Sequence, residues 1–342
     1  MLPSRIFALL LLVLAGCGPT REELKQAGYD CRERNFDAPE AIAACDHLLA
    51  RAQPEPQRAS YLAARGVAYS RVGDTDAALT DITSALELDP GLTTARLERA
   101  KLEEKAGNLP AARADYDRVL ADGPWLVDAL IGRARVAIAT GDYQTAITDL
   151  NEALALRPER SDGWVLRGSA HRRSGALEAA ARDYDEAVRL RPDAANVLLA
   201  RAGVRFQLND LVGALADVEA AFALDPNSAE AYYQRGRIEA ARNEPEAAIA
   251  DLSRAIELAP DMADAYRQRA IVLARRGDLT AAITDFTSAI QRAPDSAAAY
   301  VGRADARAKS GDDPGAVVVT DGPVSAWPRS ARARRAGGGS RP

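Results

Sequence analysis

Two kinds of charged residue recur at a strict spacing, and they are the most obvious candidates for chemistry in this sequence. Arginine returns every 34 residues at Arg65, Arg99, Arg133, Arg167, Arg201, Arg235, Arg269 and Arg303, and aspartate at Asp81, Asp115, Asp149, Asp183, Asp217, Asp251 and Asp285. Arginine can hold a carboxylate through two parallel hydrogen bonds. We therefore predict a ladder of structural ion pairs, because a catalytic centre needs one distinctive constellation rather than a repeated pair.

Other reactive residue types are scarce. His47 and His171 are the only histidines, and the sequence has three cysteines. It contains no glycine-rich phosphate loop, no histidine or cysteine set with the spacing of metal ligands, and no serine, histidine and acid constellation. We expect no enzyme activity, no metal and no cofactor.

Composition and charge describe an ordinary soluble surface. The formal net charge of the 342-residue chain is −5, and 27% of its residues are charged. Overall charge therefore gives no support to a nucleic-acid partner. Aromatic residues make up only 5% of the sequence, whereas alanine is abundant, and this suits small side chains packed between closely spaced helices.

The elements that carry the charged columns are predicted to be pairs of helices. Proline recurs at Pro90, Pro124, Pro158, Pro192, Pro226, Pro260 and Pro294, and alanine at Ala78, Ala112, Ala146, Ala180, Ala214, Ala248 and Ala282. Within a row, helical spacing of apolar residues is interrupted by glycine or asparagine, resumes, and ends at the proline. Each row is therefore predicted to be a helix-turn-helix unit that buries its apolar face by stacking on its neighbours.

These columns resemble the tetratricopeptide repeat. The matching residues are Gly66, Tyr69, Ala78, Ile82, Ala85 and Pro90 in the first row, and Trp164, Gly168, Ala180, Tyr184, Ala187 and Pro192 in the fourth. The resemblance implies an all-α fold, a right-handed superhelical α-solenoid of stacked helix-turn-helix repeats. Seven repeats would occupy residues 59–294 and a partial eighth residues 295–316.

The middle rows depart from this pattern at the position of the usual tyrosine, which is Tyr69 in the first row. The middle rows carry Glu103, Ala137, His171, Arg205, Glu239 and Leu273 there. Because this position packs between the two helices of a repeat, His171 is expected to have a structural role.

The N-terminus resembles the signal of a bacterial lipoprotein. After Arg5, an uncharged apolar run ends at Leu14-Ala15-Gly16-Cys17, and the run is too short to span a bilayer. The resemblance implies cleavage of residues 1–16 and lipidation of Cys17, and Gly18 favours transfer to the outer membrane. The alternative is a signal peptide without lipid, in which the cysteine is incidental.

Residues 17–58 are predicted to hold the anchor and a degenerate helical cap of the array. Cys31 and Cys45 lie in the two halves of this cap. In an oxidising compartment they would form a disulfide, and the alternative is two free buried thiols.

A partner is expected in a concave groove, which the tetratricopeptide resemblance assigns to the first helix of each pair. The groove-facing residues by repeat position include Arg71, Lys101, Lys105, Arg135, Arg172, Arg173, Phe206, Gln207, Tyr233, Arg237, Arg267 and Arg275. Basic residues predominate, so an extended acidic segment of a partner protein would fit, with Phe206 and Tyr233 as anchors. The alternative is a solvated face without a ligand. The lysine and asparagine set of the family's carboxylate clamp is not present.

The C-terminal residues 317–342 lose the repeat pattern. Their glycine, proline, serine and arginine content predicts a disordered basic tail that could touch an anionic envelope surface. A passive tail and a shift of the reading frame are the alternatives.

The sequence thus favours an interaction scaffold that is anchored by lipid to the outer membrane and faces the periplasm. The membrane would be contacted through the lipid anchor. The alternative is an accessory subunit of a complex that synthesises or secretes an envelope polysaccharide.

Overall fold

A computed structural model describes residues 26–27, 31, 37–51, 53–123 and 126–311. The predicted signal peptide, Cys17 and the tail 317–342 lie outside the described residues. The chain divides into two compact units, residues 1–170 (unit 1) and residues 171–342 (unit 2), and the division falls within one helix.

Every regular element of the described residues is an α-helix, which confirms the predicted all-α class. The helices up to the unit boundary are α1 (Ala38–Leu49), α2 (Glu55–Val72), α3 (Thr75–Leu88), α4 (Thr93–Lys105), α5 (Leu109–Asp122), α6 (Val127–Thr140), α7 (Tyr143–Leu156) and α8 (Ser161–Ser174), which spans it. Those that follow are α9 (Leu177–Leu190), α10 (Ala195–Gln207), α11 (Leu211–Leu224), α12 (Ala229–Ala241), α13 (Pro245–Leu258), α14 (Ala263–Arg276), α15 (Leu279–Arg292) and α16 (Ala297–Ser310). Consecutive helices pack against one another from α1 to α7 in unit 1 and from α9 to α16 in unit 2, as stacked hairpins.

The turn inside each hairpin requires a backbone with positive φ. Glycine supplies it after α2, with φ 85° at Gly73, and asparagine supplies it after α10 and α12, with φ 62° at both Asn209 and Asn243. Glycine has no Cβ to clash in this left-handed region, and asparagine tolerates the region better than other residues. The predicted break between the two helices of a row is therefore confirmed.

The core follows the alanine column. Ala78, Ala146, Ala214 and Ala282 all have 0% exposure. Around them lie larger side chains such as Tyr116, also with 0% exposure. Small residues at the helix crossings let the helices approach closely, so the abundance of alanine has a packing reason.

The cap differs in detail from its prediction. Helix α2 begins at Glu55, four residues before the expected start of the first repeat at residue 59, because Pro56 fits the first turn of a helix. Helix α1 packs against α2. The sulfur atoms of Cys31 and Cys45 lie 2.13 Å apart, at the distance of a disulfide bond, and we call this pair the cap disulfide. Both residues are buried in the cap core with Leu48.

Candidate functional site

The predicted ladder of ion pairs is present, and six of its pairs among the described residues share one geometry. In each, Nε and Nη2 of the arginine donate to the two carboxylate oxygens of the aspartate sixteen residues later, at 2.6 and 2.8 Å for Arg65 and Asp81 and at 2.8 and 2.7 Å for Arg133 and Asp149. The other pairs are Arg99 with Asp115, Arg201 with Asp217, Arg235 with Asp251, and Arg269 with Asp285. The aspartates are buried, and each pair joins the two helices of its hairpin.

A second column of acceptors was missed at the sequence level. The third nitrogen, Nη1, of the ladder arginines reaches the preceding repeat, where Arg133 donates to Asp117 at 2.8 Å and Arg269 to Ser253 at 2.8 Å. The column also contains Thr83, Asn151, Asp185, Glu219 and Thr287. Each of these residues carries a side-chain oxygen, and that shared property was the signal in the sequence. The arginine column therefore ties neighbouring hairpins together.

The variable position between the helices of a hairpin faces the buried aspartate twelve residues later. Nη1 of Arg205 donates to Asp217 at 3.0 Å, and Nε2 of His171 lies 3.8 Å from Asp183. His171 thus lies where a structural role was predicted. Glu239 lies near Asp251 at the same position, and burial together with the charge of Asp251 raises the pKa of Glu239 to about 7.

Two of the four predicted groove residues of unit 1 are paired with glutamates of the same unit. Lys101 donates to Glu98 at 3.0 Å. Arg135 donates through Nε and Nη2 to the carboxylate of Glu104, at 2.6 and 2.9 Å. The other two predicted residues of this unit, Arg71 and Lys105, are exposed. The basic character that the sequence predicts for these residues of unit 1 is therefore reduced.

A cleft of about 180 Å³ opens in unit 1 beside the cap, between α2 and α4. Small apolar side chains line it, among them Ala63, Val67 and Ala95, together with the charged side chains of Arg71 and Glu98. Arg71, one of the predicted groove residues, therefore lies at this cleft.

Unit 2 brings three predicted residues together. The guanidinium of Arg237 lies 4.3 Å from the ring centre of Phe206 and 5.4 Å from that of Tyr233. Arg267 instead donates to Asp264 at 2.7 Å on its own helix. The two rings were expected to be direct anchors for a partner, and they hold an arginine as well.

The remaining groove arginines of unit 2 are open to solvent. Arg172, Arg173 and Arg275 are exposed. No other described residue hydrogen-bonds or ion-pairs with their side chains. Unit 2 therefore carries three groove arginines whose positive charge is free to meet a partner.

Metal and membrane sites were also considered over the residues that the structure describes. Within these, no group of histidine, cysteine, aspartate and glutamate could hold a metal ion. None of the described helices has both the length and the apolar character needed to cross a membrane.

Stacked helical hairpins with one variable, solvent-facing side define the chain as a helical repeat protein of the kind that binds other proteins. Models of the tetratricopeptide repeat match residues 63–124, 131–195, 203–267 and 267–317. The chain therefore belongs to the tetratricopeptide repeat family, as the sequence columns predicted.

Solved structures share this fold. A tetratricopeptide repeat protein from Parabacteroides merdae has a TM-score of 0.56 and 23% identity, over 74% of this chain and 98% of that one. The APC/C hetero-tetramer Cut9–Hcn1 has a TM-score of 0.56 and 16% identity, over 84% of this chain and 63% of that one. The pilF protein of Pseudomonas aeruginosa has a TM-score of 0.52 and 20% identity, over 61% and 95%. No curated protein matches the sequence significantly.

Proposed function

We propose that this protein is a scaffold that holds partner proteins in the cell envelope, lipid-anchored through Cys17 to the outer membrane and facing the periplasm. Tetratricopeptide repeats serve protein-protein interaction, and the same fold accepts many partners. The observation that carries the proposal is the set of exposed cations Arg172, Arg173 and Arg275, which the described part of the fold does not use for stacking. An acidic extended segment is the partner that such a face fits.

The envelope location rests on two features near the N-terminus. Leu14-Ala15-Gly16-Cys17 has the form of a lipidation signal, and Gly18 favours the outer membrane. Cys31 and Cys45 lie at disulfide distance, and disulfides persist in oxidising compartments such as the periplasm but are rare in the cytosol. Acyl chains would then provide the membrane contact, since each buried methylene contributes about 0.8 kcal/mol.

The location is tested by fractionation. The full-length chain should sediment with outer membranes and carry acyl groups by mass spectrometry. Cys17→Ala should release it to the soluble periplasm or leave it with an uncleaved signal. If Cys17→Ala leaves both the acyl mass and the membrane fraction unchanged, the anchor is wrong.

The scaffold function is tested by affinity capture from crosslinked membranes. The unaltered chain should retain specific envelope proteins, and Arg172→Glu with Arg173→Glu should lose them. A matched control is Arg189→Glu on α9, because the side chain of Arg189 is 65% exposed. Equal capture by the double variant would remove the reason for choosing this face. Capture of glycan synthesis or secretion components would identify the scaffold as a subunit of a polysaccharide complex.

A further inference from the structure

The most distinctive part of unit 2 is an arginine that two aromatic rings hold in place. Arg237 on α12 stacks near Phe206 of α10 and Tyr233 of its own helix, at 4.3 and 5.4 Å from the ring centres. An arginine over the face of an aromatic ring is attracted to it, and its planar group keeps its hydrogen-bonding edge available. The rings therefore fix the orientation of the guanidinium without using its donors.

A buried amide fixes the same guanidinium from one side. Nη1 of Arg237 donates to Oε1 of Gln234 at 3.1 Å, and Nε2 of Gln234 donates to Glu230 at 2.7 Å. Gln234 is only 9% exposed. Nε and Nη2 of Arg237 have no hydrogen-bond partner among the described residues. The donor edge that these two nitrogens form is therefore open.

The rest of the chain shows what this edge binds. Nε and Nη2 are the two nitrogens through which the ladder arginines hold their aspartates. Arg135 lies at the same repeat position as Arg237, three repeats earlier, and there the same two nitrogens hold the carboxylate of Glu104. The residue that corresponds to Glu104 beside Arg237 is Phe206, which has no acceptor. The repeat position thus has an internal carboxylate in unit 1 and lacks it in unit 2.

We propose that Arg237 is a preformed receptor for a carboxylate of the partner, which takes the place that Glu104 fills beside Arg135. The proposal rests on the scaffold function and specifies the ligand of its groove. That ligand is an extended segment of a partner protein, whose Asp or Glu side chain or terminal carboxylate accepts two hydrogen bonds from Arg237. An apolar neighbour of that group would pack on Phe206 and Tyr233.

The charges around the receptor are compatible with an anion. Arg267 is partnered by Asp264, whose side chain is 64% exposed, so this pair is close to neutral. Glu230 is held by Gln234. Burial raises the pKa of Tyr233, so the tyrosine adds no negative charge beside the receptor. The exposed Arg275 adds positive charge on α14.

The test uses the full chain and fluorescent peptides of defined chemistry. One peptide alternates glutamate with leucine and ends in an amide, a second replaces every glutamate by glutamine, and a third is the glutamine peptide with a free C-terminal carboxylate. Anisotropy titrations at low and moderate salt give the dissociation constants. Binding of the first or the third peptide, but not the second, is the expected result, and it tells whether a side-chain or a terminal carboxylate is read.

Arg237→Gln should weaken the acidic peptide about 10- to 100-fold, the range expected for a lost charge-assisted hydrogen bond. Arg237→Lys should also weaken it, because a lysine cannot form the two-bonded contact. Phe206→Glu would install the internal carboxylate of unit 1 and should block the receptor to a similar degree. Arg254→Gln, an exposed arginine of α13, is the control and should leave the affinity unchanged.

Circular dichroism and thermal melting of each variant show that it is folded, and two different substitutions at the site guard against a misfolded one. Unchanged affinity in Arg237→Gln and Phe206→Glu would overturn the receptor. So would equal binding of the acidic and glutamine peptides, or no binding of either carboxylate peptide by the unaltered chain. In each of these cases the scaffold function stands as long as specific envelope proteins are still captured, so the two proposals fail separately.

Discussion

We expect Glu239 to make the stability of the hairpin formed by α12 and α13 depend on pH. Its carboxylate lies between the helices α12 and α13 near the buried Asp251, and its Oε2 is buried with no hydrogen-bond partner among the described residues. Arg235 is nearby but already holds Asp251 through two bonds, and Glu244 adds a further negative charge. Desolvation first, and then the charge of Asp251, raise the pKa of Glu239 to about 7.

The sign follows from the proton balance. The ordinary pKa of this side chain, 4.5, applies to the unfolded chain, so the folded state binds more protons between pH 4.5 and about 7. The stabilising contribution of the protonated form is fully present below pH 4.5 and is lost as the pH rises through 7. The full shift would correspond to about 3 kcal/mol, at about 1.4 kcal/mol for each pH unit. Because the side chain is only half-buried, solvent screening lowers the expected loss to about 1–2 kcal/mol.

The assay is urea unfolding of the full chain at pH 5 and pH 8, followed by circular dichroism. Glu239→Gln should match the unaltered chain at pH 5 and exceed it by about 1–2 kcal/mol at pH 8, since the amide cannot ionise. Glu246→Gln on α13 is the matched control, because its side chain is 78% exposed, and it should change neither value. If Glu239→Gln shows the same loss of stability between pH 5 and pH 8 as the unaltered chain, the assignment of the pH dependence to this carboxyl is refuted.

Three further predictions concern the array itself. Asp149→Ala leaves the guanidinium of Arg133 without its buried partner and should lower the free energy of unfolding by about 3–5 kcal/mol. Glu159→Ala, at an exposed site, is the control and should change it by less than about 0.5 kcal/mol. Equal urea midpoints for the two variants would contradict a stabilising role of the ladder. Gly132→Ala would place a methyl group against the fully buried ring of Tyr116 and should cost about 1–3 kcal/mol, so an unchanged melting temperature would show that the ring can move aside. Reduction of the cap disulfide should destabilise the cap by about 3 kcal/mol on the chain-entropy model, and amide exchange in α1 that does not change on reduction would argue against it.

The fold could be predicted from the sequence because the residues that build it recur at fixed positions of the repeat. Ala78 and its equivalents pack at helix crossings, and Gly73 or Asn243 supplies the turn. The residue type at each of these two repeat positions is therefore enough to predict its structural role. The pairing of Arg65 with Asp81 was predictable for the same reason, since both columns are invariant. The start of α2 at Glu55 was not, because a proline-rich stretch is compatible both with a break and with the first turn of a helix.

The candidate site was harder to predict because it depends on which residues of different repeats meet. The acceptor column that includes Asp117 and Ser253 keeps one chemical property and changes its residue type, so it does not stand out as a column. Arg135 was predicted to be available for a partner, and Glu104 neutralises it from 31 positions earlier in the chain. Repeat position shows that a residue belongs to the groove, whereas its partner in the neighbouring repeat decides whether its charge is free.

The residues that stack the repeats and the residues that set the charge of the groove occupy different repeat positions. This explains how one repeated scaffold can carry a specific receptor. Arg135 and Arg237 occupy the same position of the repeat. In both residues, Nε and Nη2 form the edge that can hold a carboxylate. The residue of the preceding repeat differs, Glu104 in unit 1 and Phe206 in unit 2. The neighbours on the arginine's own helix differ as well, since Ile131 and Gly132 stand where unit 2 has Tyr233 and Gln234. The glutamate completes an internal ion pair, whereas the aromatic ring supports the guanidinium and leaves two donors open. Specificity on such an array therefore needs no change in the invariant arginine, aspartate and alanine columns, since changes at the variable positions around the arginine turn a closed contact into an open one.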